Sequence, residues 1–164
     1  MESLTGPFVT SVADIFASMF GCKVALAEPQ QRDNMHATRD VTGIIGLTGK
    51  ADGNIVISLD CEVALSLTEA MLGQRPELID ENVIDAVGET VNIVVGQAKA
   101  KLDYLALNIG IPTVVTGRGQ SIRFTGQTVP VWFAFTSAWG GIDMCVGLSA
   151  VSACASSPEL CGAC

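Results

Sequence analysis

Residues 81 to 108 read ENVIDAVGETVNIVVGQAKAKLDYLALN, the most informative segment of the chain. Its apolar residues recur at helical spacing, which predicts one long helix from Glu81 to Asn108. An amphipathic helix buries its apolar side, so we expect this one to pack against a sheet. The residues on that side are Val87, Val91, Val94, Ala98 and Leu105.

A polar stripe runs along the opposite side of the same helix. Asp85, Glu89 and Asn92 stand at i, i+4 and i+7 and therefore point the same way. Gly96 and Lys99 extend the stripe. Most such stripes are only the solvated side of a helix, but a glycine in a helix interior costs about 1 kcal/mol relative to alanine. Stability does not explain that choice, whereas the close approach of a partner would.

The two central side chains of the stripe offer different chemistry. The carboxylate of Glu89 can pair with a lysine. The carboxamide of Asn92 offers both an acceptor and a donor, which is enough to hold one water in a fixed orientation. The stripe therefore suits a surface that reaches into a site on another protein.

Composition narrows the class of protein. A chain of 164 residues that is 49% hydrophobic and 16% charged is a folded chain, most simply one domain with a real core. Its net charge of −8 disfavours nucleic acid and anionic membranes as partners. A basic protein partner, or a cation, stays open.

The chain start shows no targeting pattern. Glu2 is acidic, and no basic segment followed by an apolar run is present. No stretch of 18 or more residues is purely apolar, which predicts no membrane span. We therefore expect a cytoplasmic protein.

The chain before the long helix predicts two helices and three strands. Helical spacing runs from Phe8 to Phe20, with Pro7 in the first turn and Gly21 at the stop. A helix at residues 61–72 would begin at Asp60, whose side chain is expected to accept from a free amide, and would end at Gly73. The expected strands are residues 23–27, 40–47 and 53–59, the last two forming a hairpin.

The chain after Pro112 predicts only strands. Glycines separate four segments with β character, PTVVTG, SIRFTG, VPVWFAFTS and IDMCVGLS. In the third, Val129, Val131, Phe133 and Phe135 would form one face. The fold class is therefore α+β, a mostly antiparallel sheet packed against helices, one of them long and carrying the polar stripe.

Six cysteines allow two interpretations. Three stand in apolar contexts and are expected to be buried and inert, namely Cys22, Cys61 and Cys145. The other three crowd the C-terminal tail, namely Cys154, Cys161 and Cys164. A CxxC pair suits half a zinc site or a redox pair, but His36, the only histidine, is far away in sequence. Incidental cysteines in a frayed tail and a metal or redox function both stay open.

The stripe within DAVGETVNIVVGQAK resembles the signature of the CheC/CheX/FliY chemotaxis phosphatases. LTGKADGNIVISL leading into ALSLTEAMLG, an acidic loop, the stripe helix and IPTVVTG follow in the order of a CheX-type domain. The resemblance spans Leu4 to Ser149. It implies one phosphatase domain at residues 1–150. The cysteine-containing tail at residues 151–164 is not part of the family pattern, and we expect it to be flexible. The N-terminal helix holds Asp14 as its only acid and no Glu-x2-Asn, so one site is implied, as in CheX, rather than two.

The resemblance also implies a mechanism and partners. Such proteins dephosphorylate a phosphorylated response regulator of the CheY type. Glu89 would pair with a lysine of the receiver, Asn92 would orient the attacking water, and Asp85 and Gly96 would serve docking. The Mg2+ would belong to the receiver, so this chain would bind no cofactor or metal. A homodimer built through the sheet is implied too, and the segments 129–137 and 142–149 would suit it.

A second function stays possible. The same fold could bind a receiver within a signalling assembly without catalysis. A pure docking surface does not need a water-orienting amide, so Glu89 and Asn92 together favour the phosphatase.

Overall fold

The structure, a computed structural model, describes residues 4–27, 36–37, 39–124 and 128–151. Its helices are α1 (Gly6–Phe20), α2 (Cys61–Leu72) and α3 (Glu81–Ala100). Its strands are β1 (Val24–Leu26), β2 (His36–Ala37), β3 (Val41–Thr48), β4 (Ala51–Leu59), β5 (Asn108–Ile109), β6 (Thr113–Thr116), β7 (Gln120–Ser121), β8 (Val131–Ser137) and β9 (Gly140–Ala150).

Seven of these strands form one antiparallel sheet in the order β1-β8-β9-β4-β3-β5, with β6 also paired to β3. The predicted hairpin is β3–β4, in which Val41 lies opposite Leu59. The short strands β2 and β7 pair with each other. The predicted fold class, an antiparallel sheet packed against helices, is confirmed.

The core lies between the sheet and the three helices. Alternate residues of β4, namely Ile55, Ile57 and Leu59, join the buried residues of the helices in one cluster. In α1 that cluster includes Phe8 and Phe16, which are 0% and 1% exposed. The helix α3 contacts both other helices and β3, so it lies in the middle of the helical layer.

Gly43 of β3 determines how closely α3 approaches the sheet. A Cβ at this position would lie 2.5 Å from Cγ2 and 3.4 Å from Cβ of Val91. Valine is stiff at χ1 and cannot simply rotate away. The absence of a side chain at Gly43 therefore lets α3 sit against β3.

The predicted helix from Glu81 to Asn108 is too long. It ends at Ala100, and a short 3-10 helix, Asp103–Leu105, follows. Ala106 then adopts a φ of +46°, and the chain pairs with β3 as β5. This reversal has a physical reason, because it buries three leucines that a straight helix would carry past the sheet, namely Leu102, Leu105 and Leu107.

The predicted role of the Asp60 side chain is also wrong. Asp60 holds the N-cap position of α2 but makes no cap hydrogen bond there. Its carboxylate accepts instead from Arg39 Nη1 at 2.9 Å and from the Gly141 amide at 2.7 Å. The Cys61 amide donates to Asp40 Oδ2 at 2.8 Å. Arg118 also donates to Asp40, and this hydrogen bond holds the pKa of the Asp40 carboxyl below its usual value.

Two strand boundaries differ from the prediction as well. In SIRFTG only Ser121 lies in a strand, and Ile122 to Phe124 do not. The ring of Phe124 packs where a Cβ of Gly147 would lie, so the segment covers the sheet instead of extending it. Val129 precedes β8 and is 80% exposed.

Candidate functional site

The N-terminus of α3 is capped within its own sequence. The Asp80 side chain accepts a hydrogen bond from the Val83 amide at 3.0 Å. Glu81 lies in the first turn and Lys99 in the last, so both charges suit the helix dipole. The cap hydrogen bond fixes the residue at which α3 begins. The start of the helix in turn sets the direction in which each of its side chains points.

The polar stripe of α3 faces away from the core, as the helical spacing predicts. Asp85 and Glu89 are exposed, whereas Asn92 and Gly96 are half-buried. The opposite side is buried, since Val87, Val91, Val94 and Ala98 are all 0% exposed.

Three side chains of the stripe have no partner within the described part of the chain. Asp85, Glu89 and Asn92 take part in no hydrogen bond or ion pair there. Other polar residues of α3 are engaged, since Thr90 donates to the Ala86 carbonyl and Gln97 donates to Asp14. The stripe therefore keeps its carboxylates and its carboxamide available to another molecule.

Helix geometry sets the spacing of these groups. At about 1.5 Å rise per residue, Asp85 and Glu89 are separated by about 6 Å along the helix, and Glu89 and Asn92 by about 4.5 Å. A carboxylate and a carboxamide at that distance can reach two neighbouring atoms of one partner site.

Two open depressions flank the carboxylates. One, of about 450 Å³, is lined by Ile84, Asp85, Gly88, Glu89, Pro112 and Val114. The other, of about 240 Å³, is lined by Met71, Leu72, Asn82, Asp85, Ala86 and Glu89. Asp85 and Glu89 thus form a ridge between them, which a partner surface can straddle.

Asn82 is a further candidate beside the stripe, which the helical spacing of Asp85, Glu89 and Asn92 did not include. It is exposed and lines the depression beside Asp85 and Glu89. Its position, three residues before Asp85 and seven before Glu89, gives the signal that could have found it.

Gly96 has room for a side chain. A Cβ there would meet no atom of the described residues within 4 Å, so their packing does not require glycine. A Cβ at Gly88, by contrast, would lie 3.5 Å from Val114 Cγ2, in ordinary contact. The predicted clearance for a partner at Gly96 is consistent with this open surface.

Three of the six cysteines lie within the described residues. Cys22 and Cys145 are buried, and burial raises the pKa of the Cys145 thiol to about 12. Cys61 is partly buried. Among the described residues no cluster of three or more His, Cys, Asp or Glu could hold a metal ion. The tail cysteines, Cys154, Cys161 and Cys164, lie outside the described residues, and of His36 only the backbone is described.

The family model for chemotaxis phosphatase CheX matches residues 41–136, from the start of β3 into β8. The chain belongs to the CheX family. The matched region contains α3 and its polar stripe. The predicted family resemblance is confirmed.

Similar proteins support this assignment. The CheY-P phosphatase CheX of Thermotoga maritima is 28% identical over 126 residues, which cover 75% of this chain and 81% of that protein. The crystal structure of CheX from Vibrio vulnificus is 30% identical, with a TM-score of 0.79, and the match covers 90% of this chain and 97% of that chain.

A second CheX structure shares the fold at lower identity. The CheX–CheY–BeF3–Mg2+ complex from Borrelia burgdorferi is 18% identical with a TM-score of 0.75, over 90% of this chain and 99% of that chain.

Within the described residues, no helix is both long and apolar enough to cross a membrane.

Proposed function

We propose that this chain hydrolyses the aspartyl phosphate of a CheY-type receiver. The observation that carries the proposal is the unpartnered stripe of α3, in which Glu89 and Asn92 lie one turn apart and face solvent. Support comes from the T. maritima relative, a CheY-P phosphatase. Further support comes from the Borrelia structure, in which a CheX of the same fold is in complex with CheY, BeF3 and Mg2+.

The two central residues act by positioning. Glu89 accepts a hydrogen bond from a lysine of the receiver and so aligns α3 over the phosphoryl group. The Asn92 carboxamide accepts from the attacking water through its oxygen and donates through its NH2, which holds the water in line with phosphorus. Water then attacks phosphorus, the bond to the aspartyl oxygen breaks, and inorganic phosphate leaves.

The remaining groups support docking. Asp85, one turn before Glu89, contacts the receiver beside the lysine. Gly96 has no side chain, so the receiver backbone can approach α3 closely there. In this proposal the Mg2+ is carried by the receiver, where it neutralises charge on the phosphoryl group. This chain supplies no covalent intermediate and no metal ligand.

Catalysis and mere binding are separated by turnover. A phosphorylated receiver is mixed with Mg2+ and with this protein at one tenth of its concentration, and phosphate release is followed over time. A phosphatase clears nearly all of the phosphoprotein faster than its spontaneous decay. A non-catalytic binding module leaves at least nine tenths of it decaying at the spontaneous rate, and that result would overturn the proposal.

We also propose that the protein is a cytoplasmic homodimer formed through its sheet. Both segments that the sequence suggested for this contact are paired on either side, since β8 lies between β1 and β9, and β9 lies between β8 and β4. One edge of the described sheet is β1, where Leu26 is 51% exposed, and the other edge is formed by β5 and β6. The proposed contact lies at the β1 edge.

Light scattering is expected to give twice the 17.1 kDa mass of one chain. Leu26→Lys places a charge on the edge strand and should shift the protein toward one chain mass, because charged edges oppose strand pairing. A wild-type protein that stays at one chain mass across its working concentrations would contradict the dimer.

A further inference from the structure

The depression beside Asp85 and Glu89 continues across the connection between α2 and α3. A third depression, of about 510 Å³, is lined by residues of that connection together with Leu72 and Asn82. Leu72 and Asn82 also line the depression beside Glu89. These two depressions form one surface, named here the α2–α3 groove, which runs from the stripe to the loop at residues 73–80.

Two leucines project from this groove into solvent. Leu72 is 58% exposed and Leu78 is 63% exposed. Single exposed leucines are ordinary, but two on one groove beside a site indicate a contact surface. Glu77 and Glu81 are exposed nearby and have no ion-pair partner among the described residues. The surface thus carries two exposed leucines among polar residues and has acidic side chains at its rim.

The loop that carries Leu78 is tied to α2. Arg75 donates to Glu62 at 2.6 Å, to Glu69 at 3.2 Å and to Ser66 at 3.1 Å. At the end of the loop, Asp80 accepts a hydrogen bond from the Val83 amide of α3. A surface already held in place loses little conformational entropy on binding.

We propose that the α2–α3 groove is a second docking surface for the phosphorylated receiver, with Leu72 and Leu78 as its apolar contacts. This inference rests on the proposed function. A receiver seated on Glu89 lies beside the groove, because Asn82 and Leu72 line the same depression as Glu89. The acidic rim selects a receiver surface with an apolar side chain flanked by lysine or arginine.

A second copy of this chain fits the groove less well. It would bring the same acidic residues against Glu77 and Glu81, and like charges across an interface repel. The net charge of −8 adds to that repulsion. The receiver is therefore the occupant.

The test is the double variant Leu72→Ser and Leu78→Ser in the turnover assay. We expect KM for the phosphorylated receiver to rise about tenfold or more, because apolar contacts at an interface centre carry much of the affinity. The rate at saturation should stay unchanged, since Glu89 and Asn92 are intact. The matched control is Tyr104→Ser, which removes a side chain that is 55% exposed beyond the far end of α3; its KM should stay unchanged.

The outcomes separate the groove from the proposed function. An unchanged KM in the double variant, with activity still lost on Asn92→Ala, would overturn the groove and leave the phosphatase intact. If the double variant has a different mass from the wild type in light scattering, the groove is a contact between two copies of this chain. That result would overturn its role in receiver docking as well. A wild-type protein without turnover would overturn the proposed function and the groove with it. Thermal melts of the double variant and of the single variants Leu72→Ser and Leu78→Ser establish that the fold is retained.

Discussion

Replacing Asn92 with alanine is expected to lower the rate of receiver dephosphorylation at saturation by about 100-fold or more. The carboxamide is the group proposed to orient the attacking water, and alanine can neither accept from that water nor donate to it. At about 1.4 kcal/mol per tenfold, the loss corresponds to about 3 kcal/mol in the barrier. KM should change little, because Asp85, Glu89 and Gly96 still support docking.

The fold should survive this substitution. Asn92 makes no hydrogen bond within the described part of the chain, and alanine is the better helix former. A thermal melt should therefore show an unchanged or slightly raised transition.

Gln97→Ala is the matched control for Asn92→Ala. Gln97 is a carboxamide on the same helix, but its side chain donates to Asp14 of α1 at 3.2 Å. Its loss should leave the rate within about twofold, since a single exposed hydrogen bond contributes little. Equal losses in both variants would show that the carboxamide of Asn92 has no special role.

Replacing Gly43 with alanine is expected to destabilise the protein by about 1 to 3 kcal/mol, the usual cost of overpacking a core. The added Cβ would lie 2.5 Å from Val91 Cγ2 and 3.8 Å from Val87 Cγ1, so either α3 or β3 must shift. The polar stripe moves with α3, and dephosphorylation should slow as well. Urea unfolding measures the free energy, and the turnover assay measures the rate.

Gly96→Ala gives the opposite result for stability. No atom of the described residues lies within 4 Å of a Cβ at Gly96, and alanine in a helix interior gains about 1 kcal/mol over glycine. The same methyl group stands in the space proposed for the receiver, so KM should rise.

A Gly43→Ala protein as stable as the wild type would contradict the close packing of α3 on β3.

The sequence predicted which residues share a face of α3 better than it predicted where the elements end. Helical spacing alone placed Asp85, Glu89 and Asn92 opposite Val87 and Val91, and the structure puts these two groups on opposite sides of α3. Spacing depends only on local geometry, which the chain carries in its own order of residues. The same spacing could have included Asn82.

The errors arise where distant residues compete. The helix ends at Ala100 because the leucines after it become buried and β5 pairs with β3. Local spacing does not contain these contacts. Asp60 fails to cap α2 because Arg39 and the Gly141 amide take its carboxylate. Such contacts join residues far apart in sequence, and only the assembled fold shows them.

In the proposed mechanism, α3 supplies the groups that complete a receiver's own site. The most direct measurement is the decay of a phosphorylated receiver with Mg2+, with the wild-type protein and with the double variant Glu89→Ala and Asn92→Ala. The wild type should accelerate the decay at one tenth of the receiver concentration, and the double variant should return it to the spontaneous rate while keeping its thermal melt. Acceleration by a folded double variant equal to that of the wild type would contradict the account.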